Sequence, residues 1–284
     1  MSLMQIILIS LLQGITEWLP ISSSGHVLLA SSYFGFGAHD ELLINAMAHL
    51  GTFFAVLLYF WKDVGRAIGG GFDLIGAAAT RKALSSNARH AMLILLSMPI
   101  TLAVVGGFEV LAGDELKDGL RGPLTVAATT LVFGIALWWA DTRGGNEKSM
   151  DEMGVMQAVL IGATQAIAAL LPGTSRSGIT MTAARWFGYK RTEAARFSML
   201  IGAPILAATG AYAVLELLTA ETTGAANLTD GLIVAALSFL SGIFSIWALM
   251  KLLEKMSFLP FVVYRVALAI VLVLSSPLAF GWIS

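Results

Sequence analysis

The chain of 284 residues contains no cysteine, and charge is scarce: 12% of its residues are Asp, Glu, Lys or Arg, where a soluble domain carries about a quarter. Without cysteine there is no disulfide, no thiolate nucleophile and no cysteine-ligated metal. The formal net charge is −1 and no basic cluster stands out, so the chain has no electrostatic footprint for nucleic acid. The opening MSLMQIILISLLQGITEWLP also lacks a basic leader and a small-residue cleavage site. It is therefore expected to be retained rather than removed as a signal peptide.

What the chain has in quantity is apolar sequence, with 57% hydrophobic residues and a mean hydropathy of +0.81. Several runs reach about 20 residues, the length that crosses a hydrocarbon core as a helix. They are too long and continuous for barrel strands, and backbone groups in lipid must be satisfied within their own segment. The fold class that follows is an all-α polytopic membrane protein. Six segments read as full transmembrane helices, roughly 41–61, 90–111, 122–141, 195–217, 230–250 and 259–280. Two further regions, 2–36 and 154–188, are hydrophobic but broken near their middles by Pro, Gly and Ser. Each fits a re-entrant helical hairpin, two half-helices meeting at a polar turn inside the bilayer.

The two broken regions match at an offset of 152: Gln13 with Gln165, Leu19-Pro20 with Leu171-Pro172, and Ser23 with Ser175. Each is followed by three spans. The chain thus reads as one integral membrane domain, 1–284, built from repeats 1–141 and 154–284. Three being odd, the second repeat is expected inverted relative to the first. Interrupted segments at matching positions of inverted halves point to a substrate site near the midplane.

Positive charges orient this topology. With 62–89 as a cytoplasmic loop, Lys62, Arg66, Arg81, Lys82, Arg89, Arg143, Lys148, Arg185, Lys190, Arg191, Arg196, Lys251 and Lys255 all fall on that side, thirteen of the 17 Lys and Arg. Only Lys117 and Arg121 fall opposite, and Arg176 and Arg265 lie within membrane segments. The positive-inside rule then places both termini and the mouth of the first hairpin outside. Trp138, Trp139 and Trp282, near span ends, read as interfacial anchors. Gly69-Gly70-Gly71 precedes no Lys-Ser/Thr pair, so it is not a phosphate loop.

The polar residues of the two hairpins carry the chemistry. Glu17 stands four residues after Gln13 on one helix face, and an intramembrane carboxylate marks a functional site by default. Ser22, Ser23 and Ser24 follow Pro20, and one of them suits the N-cap of the next half-helix. Capping needs no histidine, yet His26 follows. Ser23 and His26, three apart, form a nucleophile–base arrangement on one face. The second tip places Arg176 at membrane depth among Gly173, Thr174, Ser175, Ser177 and Thr180. Arginine offers bidentate donors, hydroxyls add neutral ones, and a helix N-terminus favours an anion, which together make a phosphate cradle. Three structural readings stand beside these: a plain Glu17–Arg176 ion pair, a His49 hydrogen-bonded to a neighbouring helix, and an Arg265 snorkelling to the cytoplasmic face.

QGITEWLPISSSGH with PGTSRSGIT resembles the motif pair of the bacterial undecaprenyl pyrophosphate phosphatases, the membrane enzymes linked with bacitracin resistance. The family's (Glu/Gln)-x-x-x-Glu motif corresponds to Gln13 and Glu17. Its Pro-x-Ser-Ser-x-Gly-His stretch corresponds to Pro20 to His26. Its Pro-Gly-x-Ser-Arg-Ser-x-x-Thr signature is matched from Pro172 to Thr180, and SFLPFVVYR, Ser257 to Arg265, is similar to its last helix. The resemblance covers essentially the whole chain. It implies hydrolysis of a long-chain polyprenyl pyrophosphate at an outward-facing site in the bacterial cytoplasmic (inner) membrane, recycling the lipid carrier of peptidoglycan synthesis. It also implies stimulation by a divalent cation, Mg or Ca, with Glu17 the first candidate ligand. Gln13, where some members carry Glu, speaks against a second carboxylate ligand. On this reading Glu17, Ser23, His26 and Arg176 are catalytic: Arg176 clamps the pyrophosphate, and Ser23 attacks with Glu17 or His26 taking its proton. The competing assignment makes His26 the nucleophile. Gln13, Ser22, Gly173, Thr174, Ser175, Ser177 and Thr180 bind substrate. A homo-oligomer is left open. The rival from another class is a polyprenyl-phosphate transporter using the same anion site.

The missing cysteines make the topology directly testable. Ser85→Cys is expected to react with an impermeant thiol reagent only after the membrane is opened, and Glu115→Cys in intact cells. The reverse pattern inverts the whole orientation.

Overall fold

The computed structural model describes residues 2–34, 38–80, 83–219 and 228–276. Among them are thirteen α-helices and no strand. In chain order these are α1 (Leu3–Thr16), α2 (Ser23–Phe34), α3 (Ala38–Tyr59), α4 (Trp61–Thr80), α5 (Ser86–Leu96), α6 (Pro99–Leu111), α7 (Asp114–Arg121), α8 (Pro123–Arg143), α9 (Val155–Leu170), α10 (Arg176–Trp186), α11 (Arg191–Thr219), α12 (Leu228–Leu253) and α13 (Leu259–Leu274). Local sequence sets many of the boundaries. Ser2 and Gln5 close a capping box at the start of α1. Proline stands at the first turn of α6, α8 and α13, where its missing N–H costs nothing.

Among the described residues, four helices are long and apolar enough to cross a membrane: Ser86–Leu111, Pro123–Arg143, Arg191–Ala211 and Thr229–Leu253. They correspond to four of the expected spans. The first is broken at Ser97, whose hydroxyl bonds back to the Ile94 carbonyl (2.6 Å) just before Pro99. A fifth candidate is a bent pair, Leu43–Tyr59 with Trp61–Ala77, turned by 88°. Here the expectation is corrected. Residues 62–89 are not a loop, because Trp61–Thr80 continues as helix. Its charges had masked an apolar stripe, Trp61, Ile68, Phe72 and Ile75, each more than 60% exposed. The expected span 259–280 is represented by a 16-residue apolar helix, Leu259–Leu274, and Trp282 lies outside the described residues. Regions 2–36 and 154–188 each form two helices joined at a non-helical tip, α1 to α2 and α9 to α10.

α1 packs against α12 and α9 against α6, α3 meets α11, and α8 meets α13. Small residues and hydroxyls bring α1 against α12, as they do between helices in lipid. A Cβ on Gly14 would lie 2.0 Å from Ser241 Oγ, while Ser238 and Ser245 donate to the carbonyls of Ser10 (3.0 Å) and Ile15 (2.9 Å). The linker between the two expected repeats is closed by Glu152. Its carboxylate accepts from the Ser149 N–H (2.7 Å) and hydroxyl (2.9 Å), which hold it below the usual carboxylate range.

Charged residues clamp the predicted cytoplasmic end. Asp141 Oδ1 accepts from Arg185 (2.7 Å) and Arg191 (2.8 Å), and its Oδ2 accepts from the Phe258 N–H (3.0 Å). One carboxylate thus ties α8, α10 and α11 to the residue that opens α13. Arg196 grips Asp63 with two nitrogens, tying α11 to α4. Arg185 is 1% and Asp141 4% exposed. Asp141→Ala strands that buried guanidinium, and we expect a loss of about 3–5 kcal/mol, read as earlier unfolding in detergent, against no measurable change for Glu254→Ala at an exposed ion pair.

Candidate active site

Both tips end in a backbone that side chains seldom adopt. Ser22 and Ser175, the residues before α2 and α10, have φ of 73° and 67°. Each places the N-terminus of a helix, with its free N–H groups, at the junction of the hairpins. Strain of this kind is held only where the surroundings over-determine it, and here they do. Gly173 N–H donates to Ser24 Oγ (2.8 Å), and Ser177 Oγ donates to the Leu19 carbonyl (3.0 Å). Ser175 Oγ caps Gly178 N–H (3.2 Å), and Thr130 donates to the Gly173 carbonyl (3.1 Å).

Arg265 completes the lock. It is fully buried and donates to carbonyls of Thr130 (2.9 Å), Gly173 (3.1 Å), Thr174 (3.0 Å) and, more weakly, Pro20 (3.4 Å). The expected snorkelling to the cytoplasmic face is therefore corrected. The guanidinium turns inward because three carbonyls at the tips and the Thr130 carbonyl of α8 offer what the interface would.

At the centre lies the pair anticipated between the hairpins. Arg176 Nη2 donates to Glu17 Oε1 at 2.7 Å, with the two side chains 16% and 6% exposed. Gln13 Nε2 donates to Glu17 Oε2 (3.2 Å), and the Ser23 side chain faces the same carboxylate. His49, expected to bond a neighbouring helix, instead bonds within α3 to the Asn45 carbonyl (3.2 Å). Its Nε2 comes within 4.0 Å of Glu17. Trp18 supplies a floor: its ring lies 5.0 Å from the Arg176 guanidinium, and its Nε1–H is fixed on the Thr52 carbonyl (3.2 Å). Gly202 makes room, since a Cβ there would sit 2.1 Å from Arg176 Nη1.

The site residues named from sequence divide in three. Gln13, Glu17, Ser23 and Arg176 meet. Ser22, Ser175, Ser177 and Thr180 spend their hydroxyls on the tips: Ser22 on Gly25 N–H (3.3 Å), Thr180 on the Arg176 carbonyl (3.0 Å) and Ser198 (2.6 Å). His26 does not reach Ser23. Its Nδ1 lies 2.7 Å from the Ser22 carbonyl and its Nε2 2.6 Å from the Tyr264 hydroxyl. The expected Ser23–His26 arrangement is thus not formed, because Ser22's left-handed turn rotates the start of α2; of the two proton acceptors expected for Ser23, that leaves Glu17. Arg176 Nη1, Gln13 Oε1 and Thr174 Oγ1 are buried without partners. These are the groups ready to meet a polar ligand. Two guanidiniums against one carboxylate, with two helix N-termini, favour an anion. Among the described residues no three His, Asp or Glu side chains gather as a metal cage. Sequence reasoning gave Trp18 and Tyr264 no role in the site, and the last helix was signalled by the charge of Arg265 at depth and by the family resemblance of Ser257 to Arg265.

Described residues that are all helical between short connections, with several membrane-length apolar helices around a buried arginine–carboxylate centre, make this a multi-pass membrane protein. The family described as bacitracin resistance protein BacA matches residues 6–271. Over 99% of both chains, the sequence is 57% identical to an undecaprenyl-diphosphatase of Hyphomonas neptunium. It is 44% identical to that of Maricaulis maris and 43% to that of a Jannaschia species, each over 96% of this chain and 98% of the relative. The chain belongs to the BacA family.

Gly202→Ala is expected to push Arg176 off Glu17 and weaken inorganic pyrophosphate binding by about tenfold, the loss of one charge-assisted hydrogen bond. Titration calorimetry would measure it, with Gly210→Ala, whose added Cβ meets nothing nearer than 3.8 Å, as the silent control.

Proposed function

We propose that the protein is an undecaprenyl-diphosphatase, hydrolysing undecaprenyl pyrophosphate to undecaprenyl phosphate and phosphate and so returning the lipid carrier of peptidoglycan synthesis. One observation carries the chemistry: Arg176, held on Glu17 with Nη1 free, stands at two helix N-termini beside a serine that faces the same carboxylate. Full-length identity to named undecaprenyl-diphosphatases carries the substrate.

The geometry supports the following course. At rest Glu17 occupies part of the Arg176 donor fork, so both charges are neutralised at membrane depth. An arriving pyrophosphate competes for that fork, and Arg176 turns from carboxylate to phosphate, a match for its planar donors. Glu17, released, takes the Ser23 proton. Ser23 Oγ then bonds the terminal phosphorus while the bond to the bridging oxygen breaks, and undecaprenyl phosphate leaves. Arg176 and the helix N-termini stabilise charge on the transferring group. Water next attacks phosphorus, the Ser23 oxygen leaves and regains a proton, and phosphate departs. A divalent cation fits the donors present, since Glu17 and the unpaired Gln13 carbonyl are hard oxygens of the kind Mg or Ca shares with substrate phosphates. Such an ion would neutralise phosphate charge.

The topology belongs to the same proposal: six spans, two re-entrant hairpins and two inverted repeats, 1–141 and 154–284, in the bacterial inner membrane, with both termini and the site mouth outside. Thirteen cationic residues on one side support it, as does the pairing of α1 with α12 and α9 with α6, which an inverted repeat relates. The 88° turn into α4, with its exposed apolar stripe, suits a helix lying in the membrane interface.

Detergent-purified protein is expected to release phosphate from a long-chain polyprenyl pyrophosphate. Arg176→Ala and Ser23→Ala should each lose at least a hundredfold, while His26→Ala keeps measurable activity. If Ser23→Ala stays active and His26→Ala is dead, His26 is the nucleophile. Absence of release with lipid still bound through Arg176 would move the protein to the transporter class.

A further inference from the structure

α13 brings two neighbouring side chains to the hairpin tips. Arg265 serves the carbonyls, but Tyr264 has no part in the chemistry proposed above. The residue is 45% exposed, yet its hydroxyl lies 2.6 Å from His26 Nε2. The two rings lie parallel, 10° apart, with centroids separated by 5.5 Å. On the other side of the imidazole, Nδ1 lies 2.7 Å from the Ser22 carbonyl.

The partners fix the protons. A carbonyl oxygen only accepts, so Nδ1 carries the hydrogen and donates to Ser22. In the neutral ring Nε2 then accepts, and the Tyr264 hydroxyl donates to it. The result is a directed chain from Tyr264 through His26 to the backbone of Ser22. That backbone is one of the two left-handed non-glycine turns in the described structure, at φ 73°. It stands immediately before Ser23, so whatever holds it sets the direction of the Ser23 hydroxyl.

We propose that Tyr264 is a positioning residue: acting through His26 it holds Ser22 in its left-handed turn and so aims Ser23 at Glu17. This rests on the reading of Ser23 as nucleophile. It explains why an invaginated histidine, 6% exposed, sits beside the nucleophile without touching it. A relaxed Ser22 rotates the first turn of α2 and takes Ser23 off the Glu17 carboxylate, while Arg176 and its hold on the phosphate are untouched.

Tyr264→Phe keeps the ring and removes the hydroxyl. We expect kcat to fall about tenfold, equal to about 1.4 kcal/mol of barrier, with KM unchanged. Because the effect passes through His26, adding Tyr264→Phe to His26→Ala should cause no further loss, a full coupling in the double-mutant cycle. Wild-type phosphate release and the Ser23→Ala loss, measured alongside, test the underlying reading separately. The proposal is overturned by a Tyr264→Phe enzyme with wild-type kcat. It is equally overturned by a rise in KM alone, which would put Tyr264 on the substrate, or by losses that multiply in the double variant.

Discussion

A carbonyl left open at membrane depth has no water to turn to, and the protein must supply its donor. The hairpin tips create several such carbonyls, because α1 and α9 stop at Thr16 and Leu170, short of Pro20 and Pro172, and their chains double back. Arg265 answers Gly173, Thr174 and, at longer range, Pro20 from one buried guanidinium, and adds the Thr130 carbonyl of α8. Burying that charge is costly by itself. The cost is offset because every arm of the fork finds an acceptor. The two tips, α8 and α13 are thereby fixed as one body, and the rest of the site depends on that registration.

Upon this frame the reactive groups are held by opposition. Glu17 and Arg176 come from different tips and meet at 2.7 Å only because the tips are locked together. The pair lowers the cost of burying two charges, 16% and 6% exposed, by setting each against the other. Trp18 below the guanidinium and Gly202 beside it leave the fork in one place. The unpaired Nη1, Gln13 Oε1 and Thr174 Oγ1 are the residual polar demand of a site built for a ligand. The left-handed Ser22 and Ser175 belong to the same pattern, each turning a helix N-terminus toward the junction of the hairpins.

Distribution of the other charges keeps this centre clean. Asp141 with Arg185 and Arg191, and Asp63 with Arg196, gather at the far ends of α8, α10, α11 and α4, where they clamp helices without touching the tips. Between the two charged levels, contact is made by small residues and serine hydroxyls, which allow α1 and α12 to approach closely. Rigid helices thus carry a polar centre whose only net charge is the anion-seeking excess of arginine.

Much of this was legible from local pattern. Apolar runs of membrane length gave the spans now occupied by α8, α11 and α12, and Pro, Gly and Ser inside two apolar regions marked the breaks at 17–22 and 171–175. Intramembrane charge singled out Glu17, Arg176 and Arg265, since such residues survive in lipid only with a partner or a purpose. Pattern failed where the partner was remote or was lipid. α4 read as a loop because its charges hid an exposed apolar stripe. His26 was matched to Ser23 by helical spacing, but one left-handed residue at Ser22 changed the phase. Tyr264, 238 positions from His26, and Arg265, 245 from Pro20, have targets that no local rule reaches. Composition and periodicity determined that this chain enters the membrane and which residues are too costly there to be idle. Only the packing of two distant tips against the last helix decided which of them meet, because hydrogen bonds fix direction and helix phase fixes which hydroxyl can answer.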